Sequence, residues 1–270
     1  MIRTNFKTIR ILFLLIVLAI VALYTCEQRR ASRSWFKTLE ITIYPINVEN
    51  SPSVEAYIRS LKTENFAMID RFMAREAKKY GLILSRPTKT VLGPEIRVLP
   101  PPAPKGSAGI LANIVWSIKF RYWAWKNTPD NKSNLRRTRM FVLYHEARDN
   151  RRLAHSYGLN KGLLGYVNAF GAQQQQGQNN IVIAHEFLHT VGALDKYDPN
   201  GNPIYPRGYA APDQPQLYPQ KKAEIMAGRI PVSETESRMP RSLKNCVIGK
   251  ETALEIHWLN PDQYRTMKQG

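Results

Sequence analysis

The amino-acid sequence predicts an α+β domain, a mixed sheet packed on one central helix, carried behind an N-terminal membrane anchor. Three patterns point there. Residues 39–46 (LEITIYPI), 139–144 and 163–170 are short runs rich in β-branched and aromatic side chains, as strands are. Residues 53–80 and 107–127 and the apolar stretch 181–191 have the length and composition of helices. Residues 11–25 (ILFLLIVLAIVALYT) carry no charge, with Arg3, Lys7 and Arg10 before them and Arg29, Arg30 and Arg33 after.

Taken in order, the chain opens on that apolar run. It is short of the roughly 20 residues that cross a bilayer comfortably, but Ile9 and a snorkelling Arg10 extend it. Residues 1–30 are an N-terminal membrane anchor or a secretory signal segment; the only small-x-small candidate after the run, Ala31-Ser32-Arg33-Ser34, is weak, which favours an uncleaved anchor. Its N-terminus is expected in the cytoplasm, placing residues 31–270 on the periplasmic or extracytoplasmic side. Tyr24-Thr25 before Cys26 is a poor lipoprotein signature. Cys26 sits at the membrane edge, so no disulfide to Cys246 is expected and the domain must be held by packing and metal.

Residues 31–270 suffice for one domain with its own core. The net charge of +18 favours membrane headgroups or another anionic envelope partner. Nucleic acid is an unlikely partner, since no base-reading motif accompanies the charge.

Within the domain, residues 39–46 form the first strand, residues 53–80 a helix stopped by Gly81, and residues 91–99 a second strand interrupted at Gly93-Pro94. Residues 100–104 (PPPAP) are a stiff connector. The helix at 107–127 is dense in Trp and Tyr, which reads first as packing and second as a membrane-interface face flanked by Lys119, Arg121 and Lys126. Residues 130–134 and 149–152 are turns around the strand at 139–144. His145 and His155 lack metal-binding spacing to a partner and read as structural. Residues 163–170 form a strand before the central helix, and the polar run Gln173–Gln176 leads into that helix. Residues 196–202 read as a turn rather than a calcium loop, because no completing Glu follows. A C-terminal helix covers residues 252–259, with His257 packed.

The most specific signal lies at residues 185–195, HEFLHTVGALD. Four residues advance a helix by about 400° and 6 Å, so His185 and His189 share one face and two imidazoles can grip one ion. Glu186, about 100° round the helix, is placed to touch a water rather than the ion. Gly192 can adopt the left-handed conformation that ends a helix, letting the chain bring Asp195 back as a third ligand. A vacant fourth position then marks a catalytic zinc rather than a closed structural one. A random chain of this composition contains H-E-x-x-H only about 0.005 times.

At these residues the sequence resembles the metzincin clan of zinc peptidases, whose motif is H-E-x-x-H-x-x-G-x-x-H followed by a Met-containing turn. The last position departs from it. Asp195 makes the closer resemblance that to the variant with Asp as third ligand, as in small secreted snapalysin-like bacterial peptidases. The resemblance implies a zincin/metzincin-like domain with its mixed sheet on an active-site helix. It also implies that residues 223–228 (AEIMAG) form the Met-turn, with Met226 beneath the metal, and that the strand at 163–170 is the edge to which an extended peptide adds. The rival plan, a ligand from a second helix, would need Glu224, Asp198 or Asp213, since no Glu occurs between Glu186 and Glu224.

The expected function is a zinc-dependent endopeptidase acting on a peptide or protein substrate. Glu186 would act as general base, taking a proton from water polarised by zinc and returning it to the leaving amine. Tyr197, Tyr205, Tyr209 and Tyr218 are candidates to stabilise the oxyanion, and the sequence does not choose among them. The alternative is a non-catalytic, membrane-anchored basic binding protein with a structural metal site.

Overall fold

A computed structural model of the chain describes residues 6–104, 109–128, 135–148, 153–160 and 162–269. The turns expected at 130–134 and 149–152 lie outside the described residues. The architecture is α+β. A five-stranded mixed sheet has β1 (Leu39–Asn47), β2 (Thr88–Leu92), β3 (Arg137–His145), β4 (Tyr157–Leu159) and β5 (Leu164–Phe170) in the order β2-β1-β3-β5-β4. The first four in that order run parallel, and β4 alone is antiparallel.

Parallel strands are covered on both faces, and side chains alternate between them. Ile41, Ile43, Met140, Val142, Tyr144 and Val167 face one core, shared with helices α2 (Pro52–Ser60), α3 (Ala67–Lys79) and α5 (Gln176–Val191). Tyr44, Ile46, Phe141, Leu143, Leu164 and Tyr166 face a second core, closed by Trp116, Phe120 and Trp123 of α4 (Ile110–Asn127). The sheet therefore has helices on both sides.

The expected strand at 163–170 is present, but it is not the edge. β4 pairs antiparallel outside β5, Tyr157 opposite Tyr166 and Leu159 opposite Leu164, so the free edge on that side is β4. Three residues containing a glycine carry too little periodicity to announce a strand. The single helix expected at 53–80 is broken: α2 ends at an extended Leu61, a 3₁₀ turn covers Thr63–Phe66, and α3 follows. Leu61 and Phe66 are both buried, which keeps the apolar stripe facing the core across the break. Gly81, with φ of 71°, follows α3 as expected. The second strand is shorter than 91–99 and begins earlier: β2 ends before Gly93, and the carboxylate of Asp70 on α3 accepts from the backbone N–H of Thr90 and the hydroxyls of Thr88 and Thr90.

Helix α1 spans Phe6–Arg33 and is longer than the uncharged run suggests. Its apolar part is exposed throughout, and it is long and apolar enough to cross a membrane. The end of α1 is seated on the domain: Gln28, Ala31 and Ser32 are buried, and the indole of Trp35 donates to the Ile256 carbonyl at 2.6 Å. Beyond α5 the chain forms short pairs, β6 (Ala223–Glu224) with β9 (Cys246–Val247) and β7 (Ile230–Pro231) with β8 (Ser237–Arg238). The expected helix at 252–259 is α6, Lys250–Glu255, and a separate α7 covers Pro261–Gln269. Left-handed His257 (φ 65°) follows α6 and is exposed rather than packed, because the chain reverses there to bury Trp258 and Leu259.

Candidate metal centre

Helix α5 carries the cluster. It begins at Gln176, several residues before its apolar stretch, since the buried Asn179 side chain accepts from Phe170 N–H and donates to Phe170 C=O, and Asn180 donates to Asn65 C=O. Polar residues that read as loop are here satisfied inside the fold. Ile181, Ile183, Ala184, Phe187, Leu188 and Val191 are buried, each worth about 1.5–3 kcal/mol on transfer for the larger side chains. Gly192 ends the helix with φ of 117°, its N–H donating to Leu188 and His189 carbonyls. The guanidinium of Arg33 lies against Gly192, but as the end of a flexible side chain it can give way, so it is the left-handed conformation that calls for glycine here.

The reversal brings Asp195 to the two histidines. His185 Nε2 and His189 Nε2 are 3.1 Å apart, and Asp195 Oδ1 is 3.2 Å and 3.1 Å from them. A tetrahedral ion with bonds of about 2.0–2.1 Å separates its ligand atoms by about 3.3–3.4 Å, so the three atoms are spaced to hold one metal ion. The histidine tautomers agree. His185 Nδ1 is 2.9 Å from the Ile225 carbonyl and His189 Nδ1 is 2.8 Å from the Ala193 carbonyl. A carbonyl only accepts, so each Nδ1 carries its proton and both Nε2 lone pairs face each other and a carboxylate. Three electron-rich atoms in contact require a cation among them. Without metal that cation is a proton: despite burial, which opposes it, Asp195, Glu186 and the Ile225 carbonyl push the His185 imidazole up to about 9. Partial burial likewise opposes ionisation of Asp195, yet the two imidazoles hold its carboxyl well below the usual range.

Glu186 is 5 % exposed. Among the described residues its buried Oε2 has no hydrogen-bond partner, and burial raises its proton affinity against the pull of His185 and His189, with the Gly158 N–H also favouring the charged form. Gly158 on β4 lies against the Glu186 carbonyl and His189 Cβ, where no side chain fits. Nothing in the sequence announces this residue, since one glycine in a short polar stretch has many ordinary explanations.

The turn beneath the cluster is tied to it by backbone. Ile225, Met226 and Ala227 form the turn, and all three are buried. Ile225 receives His185, and the Met226 carbonyl accepts from Lys196 N–H at 3.0 Å. Glu224 is no ligand: Oε2 accepts from Met226 and Ala227 N–H, and Oε1 from Gly249 N–H and the Thr252 hydroxyl. Asp198 caps its own turn through Asn200 and Asn202 N–H, and Asp213 is exposed, so neither joins the cluster. The same bonds make residues 196–202 a turn. Glu255, also unforeseen, accepts from Leu194 N–H and from the buried Lys196 ammonium at 2.8 Å, fixing the residues on both sides of Asp195.

Of the four tyrosines, Tyr197 alone is set at the cluster. Its ring stacks on His185 at 6.4 Å, and its hydroxyl lies within electrostatic reach of Asp195. Burial, then the Asp195 charge, raises its pKa, so it remains a donor at neutral pH. Tyr209 and Tyr218 bond each other at 2.8 Å, and Tyr205 stacks edge-on against Tyr209. His145 bonds Asn168 and faces Glu49, while exposed His155 offers its carbonyl to Asn168. Cys26 and Cys246 are free. No protein-family model and no characterised protein matches the chain in sequence.

Proposed function

We propose that the protein is a zinc-dependent endopeptidase of zincin/metzincin type, tethered to the membrane by α1 with its domain on the extracytoplasmic side. The observation that carries this reading is the pairing of a converged His₂Asp donor set with a buried carboxylate, Glu186, whose Oε2 has no partner. A structural site needs the first and has no use for the second, because leaving a buried oxygen unsatisfied costs about 1–3 kcal/mol.

Zinc bound by His185, His189 and Asp195 would supply Lewis-acid polarisation and a water acidic enough to ionise near neutral pH. His185 and His189 are held in the ligating tautomer by the Ile225 and Ala193 carbonyls. Glu186 takes the proton of the attacking water at Oε2 and delivers it to the amine that leaves. The Gly158 N–H orients that carboxylate from β4, and Tyr197, kept protonated, is the donor nearest to where negative charge grows on the substrate carbonyl. β4 is the free edge beside α5, so an extended peptide is read there by backbone pairing rather than at β5. Met226 supports the cluster from the buried turn.

The test is metal content and peptide hydrolysis measured on the same preparations of wild type and Glu186→Gln. The proposal expects one zinc per chain in both, with turnover falling about 10²–10⁴-fold in the variant. Metal-loaded wild type that hydrolyses nothing in a broad peptide library would leave the metal a structural part of a basic binding protein.

A further inference from the structure

The outer face of α4 is apolar. Leu111, Ile114, Val115, Ile118, Tyr122 and Trp125 are all exposed, Leu111 by 78 % and Ile118 by 62 %. At about 100° per residue these six fall within an arc of about 100°, opposite Trp116, Phe120 and Trp123, which pack on the sheet. A helix on the surface of a water-soluble domain turns charged and polar residues outward. Here one helix has two apolar faces, and among the described residues nothing covers the outer one. The exposed ammonium groups of Lys119 and Lys126 border one side of the arc.

The position of α4 says what covers it. Gly162 N–H donates to Gln28 Oε1 of α1 at 3.1 Å, and Gly162 also lies against the guanidinium of Arg121 on α4. Arg139 donates to Thr128, just past α4, at 3.3 Å and is within electrostatic reach of Tyr24 on α1. Tyr24 and Gln28 straddle the end of the uncharged run, which is the level at which an anchor leaves the hydrocarbon. The apolar face of α4 therefore stands beside the anchor at the depth of the lipid headgroups.

We propose that α4 is a second membrane element, lying in the interface of the bilayer that α1 crosses. Its occupant is phospholipid: the aliphatic residues reach the acyl chains, Tyr122 and Trp125 take the interfacial position that suits a ring with a polar edge, and Lys119 and Lys126 extend to headgroup phosphates. Two membrane contacts fix both the tilt and the rotation of the domain, where α1 alone would leave rotation about its own axis free. This rests on α1 being an anchor, so the experiment reads both helices independently.

Full-length protein carrying Cys26→Ser is reconstituted in nanodiscs with a nitroxide at one introduced cysteine: Val17→Cys in α1, Ile114→Cys or Ile118→Cys in α4, or Lys78→Cys on α3. All are exposed positions, and the remaining Cys246 is buried. Accessibility to oxygen relative to a water-soluble nickel chelate should be about tenfold higher at 17, 114 and 118 than at 78. A lipid reading at 17 with an aqueous reading at 114 and 118 overturns the proposal and leaves the anchor standing. An aqueous reading at 17 overturns both. Shielding of 114 and 118 from both reagents, with spin–spin broadening between labels, means a second copy covers the face and also overturns it.

Discussion

Two buried carboxylates sit on neighbouring segments and differ in one respect. Glu224, in the turn below the cluster, accepts four hydrogen bonds, from Met226, Ala227, Gly249 and Thr252. Glu186, on the helix above, keeps one oxygen without a partner. Both are raised in proton affinity, by burial first, and Lys196 with the Thr252, Gly249 and Met226 donors opposes this at Glu224 while His185 and His189 oppose it at Glu186. The difference separates a carboxylate that holds backbone in place from one that the described residues leave partly unsatisfied. The H-E-x-x-H spacing singles out Glu186, but no pattern shows that Glu224 is taken up by backbone and by Thr252, 28 residues away.

The comparison breaks most visibly at Glu224. Replacing it by Ala leaves the Met226 and Gly249 N–H groups and the Thr252 hydroxyl without their acceptor, while Ala227 N–H keeps the Glu224 main-chain carbonyl, and we expect a loss of about 4 kcal/mol or more, measured by denaturant unfolding. Zinc affinity should fall with it, since the turn presents the Ile225 carbonyl to His185. Glu186→Gln should show the reverse, with stability and zinc retained and turnover lost. If Glu186→Gln destabilised the fold as Glu224→Ala does, the two carboxylates would have the same role.

A second effect sharpens the electrostatic side of the cluster. In metal-free protein the His185 pKa is raised to about 9, so the stability it contributes is fully present below its unfolded value near 6.5 and is lost as pH rises through 9. Chelated protein should thus lose roughly 2–3 kcal/mol between those limits. Zinc-loaded protein should not, because metal replaces the shared proton. Thermal melts across that range with and without chelator read the difference.

The smallest expected effect concerns Gly158. An alanine there meets the Glu186 carbonyl and displaces β4, costing about 1–3 kcal/mol. Turnover should fall further than stability predicts, because the Gly158 N–H no longer orients Glu186. Unchanged kinetics in a folded Gly158→Ala protein would remove β4 from the site.

How much of this was legible in advance follows from the range of the interactions. Helix period alone places His185 and His189 on one face, and a left-handed Gly192 is what lets Asp195 return, so the donor set could be read from eleven consecutive residues. The long apolar helix at the N-terminus was equally plain, since an uncharged run is a local property. What lay beyond reach was distant in sequence: β4 as the true edge, Gly158 against Glu186, Glu255 clamping the residues around Asp195, and the choice of Tyr197 among four tyrosines.

The exposed face of α4 shows the same division. Its aromatic and aliphatic residues were visible as composition, and packing was the first reading of them. Only the tertiary structure shows that the sheet uses one side of the helix and that the other stands bare beside α1. By itself the sequence determined the chemistry that adjacent residues on one helix must share, because helix geometry is fixed by the backbone. The tertiary structure decided which polar groups are satisfied and which surfaces are left open, because both depend on segments that meet only when the chain has folded.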